Sequence, residues 1–163
     1  VLFSPVTVSV ALVVGGVLML LAERFRPEPT VSEVDDLPVL TALKIGLFQC
    51  LALMPGVSRS GATIVGAMLL KVDRKAAAEF SFFLSMPTML AAFVWDGWQN
   101  RDVLLAQGGH ELAQVAVGFL FAFLAGLVVV RLFLGIVSRM GFAPFAWYRI
   151  VVGSLMLMLF WPG

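Results

Sequence analysis

Residues 45–58 and 60–70 form two charge-free runs of 14 and 11 residues on either side of Arg59, and a helix needs about 20 apolar residues to cross a bilayer. Between them lies the polar turn Pro55-Gly56-Val57-Ser58-Arg59-Ser60-Gly61-Ala62-Thr63. Lipid offers no partner to a backbone N–H or C=O, so an irregular segment at membrane depth must be enclosed by protein or line a water-filled cavity. Residues 41–71 are therefore expected to form a re-entrant helix pair that dips into the membrane and returns to its own side. An ionisable residue at that depth is a candidate functional site.

The solvent follows from composition: 61% apolar and 13% charged residues with a mean hydropathy of +1.01 lie far outside the soluble range. The fold class expected is an all-α integral membrane protein, a polytopic helical bundle in contact with the bilayer. Residues 1–22 and 111–134 hold charge-free runs of 22 and 19 residues and read as transmembrane helices. Residues 74–95 make a third span, with Asp73 as its N-cap and Pro87 as a kink. Residues 144–161 make the fourth, carrying Trp147 and Tyr148 near one end and Trp161 at the other, as an interfacial aromatic belt requires. Residues 23–40 and 96–110 are loops, the first with five acids and three prolines and expected to have little order. Gly118, Ala122 and Gly126 recur every fourth residue, a pattern read here as ordinary close helix packing. The chain begins on Val1 within an apolar run and is read as a fragment forming a single membrane domain.

Re-entry makes a charge prediction. A hairpin that returns to its own side puts Arg24, Arg26, Lys44, Lys71, Arg74, Lys75, Arg131 and Arg139 on one face and only Arg101 on the other, whereas a bent single crossing would dissolve that bias. The basic face is then cytoplasmic. A net charge of +1 without a basic run excludes nucleic acid as a partner. Cys50, the single cysteine, forms no intrachain disulfide and is read as packing.

At the turn, Ser58 or Ser60 can cap the helix that begins near Gly61, leaving backbone N–H groups and the helix dipole directed at the turn. That is the geometry of an anion site. Gly56 and Gly61 permit positive φ or close approach, Arg59 offers a planar fork that matches two phosphate oxygens, and Ser58, Ser60 and Thr63 add hydroxyl donors. A lipid-borne phosphate or diphosphate suits such a site better than a carboxylate or a metal. The bland alternative is that Arg59 pairs with a buried acid or carbonyl. His110 beside Glu111 reads as an exposed loop residue, Glu79 as the ion-pair partner of Lys75, and Asp96 and Asp102 as loop acids. No carboxylate pair, histidine cluster or Ser-His-Asp set falls near the turn, so no metal site is assigned within this chain.

The run from Leu47 through Met54 and the turn to Thr63, followed by Ala78-Glu79-Phe80-Ser81-Phe82-Phe83-Leu84-Ser85-Met86-Pro87, resembles the undecaprenyl-diphosphate phosphatase (bacitracin-resistance) family of bacteria. The likeness extends over the whole chain and covers the C-terminal part of the family's length. It implies one half of an inverted-topology repeat in the cytoplasmic (inner) membrane, whose re-entrant tip meets that of the N-terminal half of the same protein. It implies hydrolysis of undecaprenyl diphosphate to the monophosphate on the outer, periplasmic side, which recycles the lipid carrier for peptidoglycan and confers bacitracin resistance. By matching positions, Arg59 and Ser58 would be catalytic and bind the diphosphate, with Gly56, Ser60, Gly61 and Thr63 binding substrate around them. A divalent cation, Mg or Ca, is implied too. The family's N-terminal motif of paired glutamates, a serine and a histidine has no counterpart here, so the chain alone is expected to be inactive. A homodimer is left open. The acid-phosphatase-like lipid phosphatases need a histidine shortly after the arginine, and none lies between Arg59 and Arg101. A transporter or flippase of the prenyl diphosphate carrier is the alternative function, and a purely structural subunit explains the spans but not the turn.

Overall fold

The protein, seen in a computed structural model that describes residues 4–102 and 110–160, is helical, and four helices are long and apolar enough to span a membrane. They are α1 (Pro5–Phe25), α4 (Arg74–Gln99), α5 (His110–Met140) and α6 (Ala143–Phe160). Two shorter helices, α2 (Val39–Gln49) and α3 (Arg59–Leu69), have 11 residues each, or about 16 Å apiece at 1.5 Å per residue. Short 3₁₀ turns at Val34–Asp36 and Cys50–Leu53 complete the described elements. The chain is an all-α polytopic membrane protein whose exposed surface is apolar: Leu53, Met158 and Val39 lie open, as lipid contact demands.

Two compact units divide the chain, Val1–Phe82 with Ile136–Gly163 in the first and Phe83–Gly135 in the second. In the first, α1 and α6 run antiparallel at close range. A Cβ on Gly16 would meet the Ala146 carbonyl oxygen at 2.8 Å, and one on Gly153 would meet that of Ser9 at 2.9 Å. Packing of this kind drives helix association in lipid, where apolar burial gives little. Ser4 caps α1 by accepting from the Thr7 N–H at 3.1 Å, and Pro5 takes the first helical position, where its missing N–H costs nothing.

The ends of the short-helix pair lie side by side. After α1 the chain runs extended, and Val31 bridges Val72, just past α3. The Thr30 N–H donates to the Lys71 carbonyl at 2.8 Å and the Asp73 N–H to that of Val31 at 2.8 Å. Within residues 23–40 these backbone bonds tie Thr30 and Val31 to the α3–α4 junction, a local order that the composition does not suggest. Glu23, near the end of α1, pairs with Arg74 at the start of α4 and accepts from the Phe142 N–H at 3.5 Å. Asp73 caps α4, accepting from the Lys75 N–H at 3.0 Å, and Lys75 sits 3.7 Å from Glu79.

In the second unit α4 passes through Pro87 as one continuous helix and runs on to Gln99, past the point at which the sequence suggests a loop. Trp98 near its end lies under the Arg101 guanidinium, 4.6 Å from centroid to Cζ. The Phe93 and Phe119 rings meet at 6.4 Å. Gly118 and Gly126 have nothing within 4 Å of a Cβ, so the expected small-residue stripe is unpartnered among the described residues. The close packing falls to Gly16 and Gly153 instead. Cys50, at the start of the 3₁₀ turn after α2, is exposed rather than packed. The side chain of His110 and residues 103–109 lie outside the described residues.

Candidate functional site

The turn joining α2 to α3 is placed deep. Gly56 has φ +85°, a conformation that costs other residues strain, and a Cβ there would meet Ala11 Cβ and the Val8 carbonyl oxygen at 2.8 Å each. Val8 and Ala11 belong to the first two turns of α1, and Val8 is about 25 Å along that helix from Phe25. Within the first unit, then, the tip reaches most of the way along α1 from the end that carries Arg24 and Arg26.

Beyond Gly56 the backbone rises into a capped helix. Ser58 Oγ accepts from the Gly61 N–H at 3.1 Å, and the Ser58 carbonyl takes the Ala62 N–H at 2.9 Å. The N–H groups of Arg59 and Ser60, first in the helix, have no carbonyl four residues behind them within it. Ser60 Oγ lies 3.3 Å from Ser58 Oγ and its residue is exposed. Arg59, half-buried, donates from Nε to Gln49 Oε1 at 3.0 Å, which fixes the fork from the last residue of α2.

Thr63 sits elsewhere. It is buried, bonds back to the Arg59 and Ser60 carbonyls at 3.1 Å each, and meets Ser81 Oγ of α4 at 2.7 Å. The structure thus brings Gly56, Ser58, Arg59, Ser60 and Gly61 together at the tip and turns Thr63 onto α4, where it ties the capped turn to the next helix.

A cavity of about 410 Å³ lies against the tip, walled by α1, α2, α3 and α6. Its lining is apolar, with Leu18, Met19, Phe48 and Val65 among it, except for Ser58 and Arg149. Arg149 escaped the sequence reading because it belongs to no motif. The signal available was the one that singled out Arg59, an ionisable residue inside a candidate span. Its Nη2 donates to the Gly56 carbonyl at 3.2 Å. Gln49 and Ser81 lie within the runs that carry the family likeness but were given no role there: a glutamine in an apolar helix and a serine on another helix acquire roles only through tertiary contact. Among the described residues no three His, Cys, Asp or Glu side chains gather as a metal site would need.

This arrangement can hold an anion, since it offers a guanidinium, hydroxyls and helix N–H groups in a poorly solvated place. It provides no base or nucleophile activated by a neighbouring base.

The profile of the family described as "Bacitracin resistance protein BacA" matches residues 1–155. The chain is similar to an undecaprenyl-diphosphatase of Cereibacter sphaeroides, 54% identical over 160 residues that cover 98% of this chain and 59% of that protein. It is also similar to undecaprenyl-diphosphatase 1 of Agrobacterium fabrum, 55% identical over 95% of this chain and 57% of the relative. An undecaprenyl-diphosphatase of Rhizorhabdus wittichii is 47% identical over the same shares, 95% and 57%. The chain thus spans less than two thirds of the length of these relatives.

Proposed function

The chain belongs to the bacitracin resistance protein BacA family, and from that membership we propose that its re-entrant turn binds the diphosphate of undecaprenyl diphosphate in a membrane phosphatase. The observation that carries this reading is the capped start of α3 with Arg59 held by Gln49, set at the depth of Val8 and Ala11 and bordering an apolar cavity. A polyprenyl diphosphate has both halves of the matching chemistry, a polyanion and an apolar chain.

In this mechanism Arg59 grips two oxygens of the diphosphate, and the N–H groups at the start of α3 with the Ser58 and Ser60 hydroxyls receive the rest. Fixed positive charge there lowers the barrier as charge develops on the transferring phosphoryl group and its leaving oxygen. Gly56 and Thr63 hold the tip rather than touch the reacting atoms. The donors at the turn do not fit a cation, and the divalent cation that the family likeness implies would be held by residues outside this chain. The attacking oxygen and the group that activates it are assigned to residues outside this chain, contributed by the N-terminal half of the protein. The site would open on the outer side of the bacterial inner membrane, a placement supported by the reach of the tip away from Arg24 and Arg26.

The test is phosphate release from undecaprenyl diphosphate by a full-length chain carrying this sequence, compared with Arg59→Ala. Release that the substitution abolishes is the expected result. A folded wild type that binds the lipid without releasing phosphate would sink the hydrolase reading and favour carriage of the lipid instead.

A further inference from the structure

Arg149 is the seventh residue of α6, inside a helix long and apolar enough to span the membrane. A cation at such a place is costly unless something neutralises it. None of the ion pairs among the described residues includes it: these join Glu23 to Arg74, Glu79 to Lys75 and Asp102 to Arg101. What Arg149 has is the Gly56 carbonyl, which accepts from Nη2 at 3.2 Å, while its Nε is buried with no hydrogen-bond partner. A carbonyl dipole orients a guanidinium but leaves its charge uncompensated. Gly15 on α1 leaves the room that the guanidinium fills: a Cβ there would lie 2.7 Å from Nη2. Arg149 also lines the same cavity as Ser58 and Gly61.

We infer that Arg149 is a second anion-binding cation of this site, contributed by α6 and held beside the turn by Gly56, so that a diphosphate is gripped from two helices. The inference rests on reading the turn as a diphosphate site and extends it to a residue outside the motif. It also accounts for an uncompensated charge in an apolar wall, since the bound anion completes the pairing.

The experiment measures inorganic pyrophosphate binding by calorimetry to the full-length chain in detergent, alongside phosphate release. Arg149→Gln, which removes the charge and is too short to keep the bond to the Gly56 carbonyl, is expected to weaken pyrophosphate binding about tenfold or more, with Arg149→Lys, which restores the charge, recovering most of the loss. Gly15→Ala keeps the charge and displaces the end of the side chain, and is expected to weaken binding by about threefold at an unchanged melting temperature. That variant decides the matter should Arg149→Gln fail to fold. Unchanged pyrophosphate affinity in folded Arg149→Gln, or in Gly15→Ala, overturns the inference and leaves Arg149 as a brace for the turn. A wild type that binds pyrophosphate in an Arg149-dependent way yet releases no phosphate supports this inference while the hydrolase reading falls. A wild type that does not bind pyrophosphate overturns the inference, even if phosphate is released.

Discussion

Arg59 and Gly56 show how much chemistry a single residue type carries in a low-dielectric turn. The Arg59 fork has its Nε occupied by Gln49, which orients the rest of the guanidinium. Arg59→Lys keeps the charge but loses both the planar fork and the bond to Gln49, so turnover of the full-length enzyme is expected to fall about tenfold or more. Steady-state phosphate release checks this, and wild-type turnover would refute it. Gly56 is constrained twice, by φ +85° and by the crowding of Val8 and Ala11. Gly56→Ala must either strain the turn or push α1 away, with a cost of about 2 kcal/mol or more. Thermal unfolding in detergent should show a clear drop in midpoint, accompanied by lost activity because the same backbone aims Ser58 and Arg59.

Helices that meet at one end hold the re-entrant pair in place. The Glu23 carboxylate joins α1 to Arg74 of α4 and to the Phe142 N–H at the start of α6, and most of its surface is covered. Glu23→Gln removes the charge opposite Arg74, whose Nε is already buried without a partner. The expected loss is about 2 kcal/mol, the scale of a hydrogen bond to a charged group. A melting curve of the full-length variant checks it, and no change would show that the pair is cosmetic. The charge on Arg74 and the acid at Glu23 were both visible in the sequence, yet their pairing was not, since 51 positions separate them.

For the first compact unit as a whole, the decisive feature is that the pair leaves and returns at the same end. The Val31–Val72 bridge places the two ends of the re-entrant segment beside each other. Single cysteines at Glu28 and Lys71, introduced after Cys50→Ala in the full-length chain, should therefore react with a membrane-impermeant thiol reagent from the same side. Labelling from opposite sides would establish a crossing between them and remove the basis for a site at the tip.

Solvent class, the number of long apolar helices and the concentration of hydrogen-bond donors in residues 55–63 were all legible in the sequence alone. Each depends on local properties: run length against bilayer thickness, and the donor types crowded into nine positions. The family likeness came through that turn with the residues before it from Leu47 and the run from Ala78 to Pro87. What only tertiary structure decided were the partners. Gln49 became the support of Arg59, Ser81 the partner of Thr63, and Gly16 and Gly153 the close-packing glycines in place of Gly118 and Gly126. Arg149 reached the turn from the last helix. In lipid every helix is apolar on most faces, so hydrophobic pattern does not mark which face packs. Close approach of backbones and the pairing of rare polar groups select the arrangement, and both exist only once distant segments lie side by side.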